Sequence, residues 1–300
     1  MKHEMYSKRI VCFIALTLVF ALALTACGGK SGQGKNNTDI AKGDGWVIKQ
    51  DGTLVVSGEN SSTPALDIDA ADDSAWASYK SQIKTVVVEE GVTSIGPFAF
   101  ACVEYLESVS LPDSLTVIGA SAFADSMRLQ KVDIPNGVTD IREMAFMCCR
   151  GLTEVEIPAG VEKIGFAAFA SCDMVQKVTL HEGLKEIGDN AFGFTTLKAM
   201  ALPEGVETIG DSAFSACRDM EELTLPASLT KVGENVFPPA VKKINYGGTK
   251  EDWVKLVGSG FVSESAVVEI ACSDGVIRLQ FAETEESTQE ESVQEESLQG

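Results

Sequence analysis

The chain has 300 residues, with 44 Asp and Glu against 24 Lys and Arg and a formal net charge of −20. That length allows one large domain or two ordinary ones. Phosphate neutralisation needs Lys and Arg, so the acidic balance argues against a nucleic-acid partner, and two histidines, His3 and His181, leave little room for histidine-based catalysis.

Lys2, Lys8 and Arg9 precede an apolar run from Ile10 to Ala26. This is the pattern of an export signal, and the run is shorter than the ~20 residues of a membrane-spanning helix. It ends in Leu24-Thr25-Ala26-Cys27, followed by Gly28-Gly29, which resembles the bacterial lipobox. The expectation is that residues 1–26 are removed and that a lipid on Cys27 holds the mature protein at the outer face of the cell membrane or in the outer membrane. Processing takes away a net +2, from Lys2, Lys8 and Arg9 against Glu4, and moves the net charge from −20 to −22. Residues 27–44 are rich in Gly, Ser, Asn and Lys and read as a flexible tether. Within them "GKSGQGK" (Gly29 to Lys35) fits the opening of a phosphate-binding loop, but Asn36 stands where Ser or Thr is needed and no strand precedes it.

Residues 45–82 read as an N-terminal cap. Asp51-Gly52 between "WVIKQ" and "TLVVSG" signals a hairpin, and Trp46 and Trp76 are expected to cover the first coil of the adjoining repeat array. Asp67, Asp69, Asp72 and Asp73 form an acidic cluster without the Gly turn of a calcium loop, so a solvated loop is expected.

Residues 83–246 repeat. Val86, Val109, Val132, Val155, Val178, Met200 and Leu223 head copies spaced by 23, 23, 23, 23, 22 and 23 residues, and a last step of 21 reaches Ile244. With these as position 1, position 3 is apolar and Pro follows in five of seven copies. Position 10 is Ile or Val with Gly next in six of seven, position 14 is Ala in six, and position 15 is Phe in all seven, from Phe100 to Phe237. Each copy has about seven apolar anchors worth roughly 1.5–3 kcal/mol apiece when buried, against about 1–2 kcal/mol of entropy for each ordered backbone. One copy alone does not fold, whereas stacked copies share a core and close each other's hydrogen bonds.

The pattern predicts a repeat solenoid, mostly β, one coil thick. A short strand such as "VEI" alternates in, out, in and stacks into a parallel sheet on one face. Pro ends the strand, "VEKI" runs extended on the opposite side, and "DSAF" or "GFAAF" makes one helical turn that drives Ala and Phe inward. Cys149, Cys172 and Cys217 share position 18, which faces the core, and are expected as buried thiols. Cys102 and Cys148 sit one place earlier and Cys272 lies beyond the array. The cysteine spacings do not suit zinc, no nucleophile has an identifiable base, and no catalytic residue, metal or cofactor is expected.

Residues 247–281 read as a C-terminal cap. Thr249 to Asp252 opens a helix with a capping box, Trp253, Leu256 and Val257 line its inner face, and Asp274-Gly275 marks a second hairpin. Residues 282–300 carry seven Glu and no Lys or Arg, in near-repeats "EESTQ", "EESVQ" and "EESLQ", and are expected to remain disordered.

The pattern V-x-I-P-x-G-V-x-x-I-G-x-x-A-F-x-x-C-x-x-L, with "WVIKQDGTLVVSG" before it and "INYGGTKEDWVKL" and "ACSDGVI" after it, resembles the BspA-like group of bacterial leucine-rich repeats. The resemblance implies a surface-exposed solenoid that binds a protein or a host surface, adhesin-like. The expected partner is a protein or surface glycan, from the host's extracellular proteins or the cell envelope, met by a monomer. The alternative is a structural spacer of the envelope with no discrete ligand. A solute-binding lipoprotein would need a closed pocket, which a single-coil solenoid does not naturally offer. The candidate binding face is the polar middle of the sheet: Lys131, Asp133, Glu154, Glu156, Lys177 and Thr179. Neither outward column of the sheet contains Tyr, Trp or Arg, so contact there would be electrostatic and modest.

Overall fold

Residues 39–57, 74–258 and 267–280 are described by the structure, a computed structural model. They form a mostly β parallel solenoid of about eight turns. On one face the position-1 residues stack in register: Val86 pairs with Val109, Val109 with Val132, and Val155 with Val178. In Glu154–Ile157 the alternation is strict, with Val155 and Ile157 buried and Glu154 and Glu156 exposed. This face is not one continuous ladder. It divides into pieces of six, two and five strands, with breaks between Lys131–Val132 and Glu154–Ile157 and between Lys177–Leu180 and Ala199–Ala201.

The continuous ladder lies on the other side. There the segments expected only to run extended form seven two-residue strands, from Ser94–Ile95 to Lys231–Val232, parallel throughout. The crossing between the two faces begins at the repeat Pro, whose carbonyl accepts the N–H three residues on, as in Val138 to Pro135 at 3.0 Å and Val161 to Pro158 at 3.1 Å. The return after position 10 needs close backbone approach: a Cβ on Gly119 would lie 2.5 Å from the Ile95 carbonyl oxygen.

The expected helical turn at "DSAF" is absent. Positions 13 and 17 instead adopt left-handed backbone in coil after coil: Ser121 and Asp125, Met144 and Cys148, Ala167 and Ser171, Asn190 and Phe194 all have φ between 51° and 60°. Such residues cost roughly 1–2 kcal/mol each without glycine. The gain is that three peptides per coil align with the solenoid axis. The N–H groups of Met144, Phe146 and Cys148 donate to the carbonyls of Phe166, Ala168 and Ala170 one coil on, at 2.7–2.9 Å. A helical turn would direct those donors into its own coil and leave the stack unbonded at this corner.

The Phe column follows from that ladder. Phe100, Phe123, Phe146, Phe169, Phe192 and Phe214 are fully buried and stack with centroids 5.2–6.0 Å apart and planes within 23°. Trp76 extends the column by one ring, 5.3 Å from Phe100 and 11° from parallel, and its indole N–H donates to the Ala99 carbonyl at 3.0 Å. Trp46 packs edge-on against Trp76. Phe237 departs from the expectation: it is half-buried and packs tilted on Trp253 at 5.7 Å rather than closing the stack.

Both ends are hairpins laid on the first face. Thr53–Val56 pairs parallel with Thr85–Val88, and Trp46–Lys49 folds back on it through a turn closed by Gly52 N–H to Lys49 carbonyl. Asp39–Gly43, inside the segment expected to be a tether, is a third strand antiparallel to Trp46–Lys49. At the other end Val267–Cys272 joins Lys243–Tyr246 and turns through Ser273-Asp274 into Gly275–Gln280, so the turn lies one residue earlier than the Asp-Gly pair suggested. Helix α1, Lys250–Val257, has the Thr249–Asp252 capping box and buries Trp253. Cys27, "GKSGQGK", the Asp67–Asp73 cluster and the Glu-rich tail lie outside the described residues.

Candidate functional site

The six residues of the expected binding face all point outward, and five of them are exposed, with Thr179 half-buried. Their arrangement is more divided than the sequence suggests. Lys131 and Asp133 form an ion pair of 2.9 Å at the end of the six-stranded piece. Glu154 lies in register with Lys177 and Glu156 with Thr179 on the separate two-stranded piece. The Asp133 carboxylate raises the Lys131 ammonium above its ordinary pKa by hydrogen bond and charge. His181, which follows Lys177–Leu180 where most copies have Pro, is half-buried with Nε2 3.0 Å from Glu156 Oε1. Lys131, Asp133 and Glu156 therefore already have partners with which an incoming molecule must compete.

A second surface was missed. Positions 17 to 20, between the Phe corner and the next strand, carry Tyr105, Arg128, Arg150, Met174, Phe194 and Arg218. The Arg128 guanidinium lies 4.4 Å from the centre of the Tyr105 ring, and Arg150 pairs with Asp173 at 3.4 Å. Met174 and Phe194 are 53 % and 55 % exposed. Beyond Phe194 this edge opens into a groove of about 1010 Å³ between the last coils and α1, lined by Arg218, Lys231, Phe237, Leu256 and Val257 among others. The signal was present: these are the aromatic, Met and Arg side chains that the sheet columns lack, but they fall at positions where the repeat has no consensus.

The model of the BspA type leucine-rich repeat region matches in six copies over residues 72–193 and 139–250. The chain belongs to this family. Among solved structures it is similar to a leucine-rich cell surface protein of Faecalibacterium prausnitzii, with 21% identity over 70% of this chain and 76% of that one at a TM-score of 0.48. It is likewise similar to a leucine-rich repeat protein of T. pallidum, with 27% identity over 64% and 84% at a TM-score of 0.48, and to one of Bacteroides ovatus, with 20% identity over 72% and 71% at a TM-score of 0.38. No curated protein matches.

In this leucine-rich repeat array the position-18 thiols have a specific task. Cys149, Cys172 and Cys217 are buried, and each Sγ contacts the Phe carbonyl of the preceding coil, Phe123, Phe146 and Phe192, at 3.1–3.2 Å. Ser126 makes the same bond to Phe100 at 3.1 Å. Position 18 thus supplies a small donor for a carbonyl that the axial ladder does not use, which is more than the apolar packing expected of it. Burial pushes the Cys149 and Cys172 thiols well above their ordinary pKa. Cys148, at the left-handed position 17, is raised to about 11, first by burial and then by the Asp125 carboxylate. Among the described residues no cluster of His, Cys, Asp and Glu is arranged to hold a metal ion, and no helix is long and apolar enough to cross a membrane.

Proposed function

We propose that the protein is a lipid-anchored, monomeric cell-surface leucine-rich repeat protein that binds a macromolecular partner, a protein or surface glycan, through an exposed face of the array and performs no chemistry on it. The observation that carries this is the division of labour in each coil. Anchors at positions 1, 3, 10, 14 and 15 fill the interior, while outward side chains differ from coil to coil. Selection for stacking explains only the first set. The Leu-Thr-Ala-Cys27 box supports the anchor.

For the sheet face, with Lys131, Asp133, Glu154, Glu156, Lys177 and Thr179, contact would be salt-sensitive and modest in affinity. The spacer reading is favoured by one observation, that Lys131, Asp133 and Glu156 of this face are already engaged, with one another and with His181. The test is capture by the detergent-solubilised intact protein of purified host extracellular proteins and of envelope fractions. Saturable binding of at least one supports the proposal. Glu154→Lys with Glu156→Lys should weaken that binding if the sheet face carries it. Absence of binding to every fraction selects the spacer.

A further inference from the structure

The two ends of the first-face sheet are finished differently. At the N-terminal edge Asp39–Gly43 is blunted: Ile40 stands in a bulge between Asp39 and Ala41, Ala41 is the residue opposite Ile48, and Lys42 and Gly43 complete the strand. Bulges and charged residues are what protect a free strand edge. At the C-terminal edge Gly275–Gln280 has no such bulge. It pairs with Val267–Cys272 in six consecutive steps without a register shift and contains no Pro and no acid. Among the described residues no strand lies on its other side, so every second residue turns its N–H and C=O to an open edge.

Its side chains continue the interior as well. Leu223, Ile244, Ile270 and Ile277 stand side by side in register. The first three are fully buried, whereas Ile277 and Leu279, on the inner face of the last strand, are half-buried. On the outer face Val276 is 46 % exposed. A soluble array needs ends with a polar outer face, and this end instead sets apolar side chains beside unpaired main chain.

We infer that Gly275–Gln280 pairs antiparallel with the same strand of a second copy, about a two-fold axis at Ile277. The strand selects its own copy. Pairing must keep inner residues opposite inner residues, which leaves two symmetric registers with five residues of overlap. The one centred on Arg278 sets two arginines face to face. The one centred on Ile277 opposes Ile277 to Ile277, Gly275 to Leu279 and Val276 to Arg278 of the second copy. It opposes no like charges and carries the row from Leu223 to Ile277 across the joint into its two-fold image. The blunted N-terminal edge offers no such row, so the contact closes as a pair rather than growing as a fibre. Two six-residue strands bury less than the roughly 1,200 Å² of a stable complex, so the isolated chain remains monomeric and pairing needs a surface crowded with copies. The axis leaves the N-terminal caps at opposite ends of the joined array, which suits copies anchored in two facing membranes. The inference rests on the proposed surface-binding role and names a second copy as the partner.

The test places the full chain on two populations of phosphatidylcholine vesicles labelled with different dyes. The chain is held by the Cys27 lipid or, where that lipid is absent, by an N-terminal hexahistidine on nickel-chelating lipid. Fluorescence cross-correlation reads docking, which is expected only when both populations carry the protein. V276K opposes Lys to Arg278 twice across the axis and should slow docking about tenfold, while V276E opposes Glu to it and should quicken docking several-fold. A general charge effect has the opposite sign, since the chain is already at −20. Val276 is exposed, so both variants should keep the parent thermal midpoint. Docking to bare vesicles overturns the inference, as does docking that V276K and V276E leave unchanged or shift alike. So does docking seen only after residues 281–300 are deleted, which would identify the chain's own tail as the occupant of the edge. Absence of docking overturns it too, while saturable capture of host or envelope proteins by the same chain would leave the binding role standing.

Discussion

Phe169→Ala should cost about 3–5 kcal/mol of unfolding free energy, the range for large aromatic truncation in a packed core. Phe169 is fully buried and stacks on Phe146 at 5.2 Å and on Phe192 at 5.6 Å, with planes within 7°. Removing it deletes two ring contacts worth about 0.5–1.5 kcal/mol each beyond area burial and opens a cavity that the backbone cannot close, because Phe169 N–H and its neighbours are fixed to the next coil. Phe237 provides the control. It occupies the same sequence position but is half-buried and outside the stack, so Phe237→Ala should cost about 1–2 kcal/mol. Urea titration followed by far-UV circular dichroism measures both. A loss below about 1 kcal/mol for Phe169→Ala, or equal losses for the two, would refute the argument that axial stacking, rather than the presence of Phe, stabilises the array.

Cys172→Ser keeps the second donor on the Phe146 carbonyl, which also accepts the Cys149 N–H, while Cys172→Ala removes it, so Ala should be the more destabilising by about 0.5–1.5 kcal/mol; denaturant midpoints in the reverse order would discard the hydrogen-bond role. Cys148 keeps its proton in the folded state up to about 11, whereas the unfolded thiol titrates near its ordinary value of 9.0. Folding therefore retains this contribution below pH 9 and loses it as pH rises from 9 towards 11, a slope that Cys148→Ser should flatten in thermal melts. Trp76→Phe should lower stability by about 1–3 kcal/mol through the stranded Ala99 carbonyl, and a neutral result would show that water replaces the indole. Mass spectrometry of the mature N-terminus should find diacylglycerol on Cys27, and an unmodified chain beginning elsewhere would remove the anchor from the proposal.

The stack was legible because it depends on side chains that recur. Val86 to Leu223 at position 1 and Phe100 to Phe237 at position 15 state the period, and burial of the first six Phe follows from it. The corner between them was misjudged because its structure is written in the backbone. Met144, Asp125, Ser171 and Phe194 share left-handed φ but no side-chain chemistry, and short runs such as "DSAF" favour a helical turn when considered one coil at a time. What overrides that preference is the next coil, which accepts the three axial N–H groups. The candidate site was obscured for a related reason. The outward sheet columns can be counted off by alternation, whereas Tyr105, Arg128, Phe194 and Arg218 lie where the consensus falls silent and only the three-dimensional stack brings them to one edge.

The axial ladder also gives the solenoid a direction, and the two caps differ accordingly. Every bond of the kind Phe146 N–H to Ala168 carbonyl points towards the C-terminal end, so the first coil presents acceptors and the last coil presents donors. The N-terminal end is closed by a donor, the Trp76 indole on Ala99, within a ring that continues the Phe column. At the C-terminal end Pro239 occupies position 17, where an ordinary residue would aim an N–H past the last coil, and proline has none to aim. The same two prolines and the shortened coil prevent Phe237 from completing the stack, which opens the groove beside Arg218. Terminating the ladder at that end and creating a concave surface there are thus consequences of one local sequence, "VFPPAV" at 236–241, and a variant that restores the repeat at 238–239 should close the groove as it extends the column.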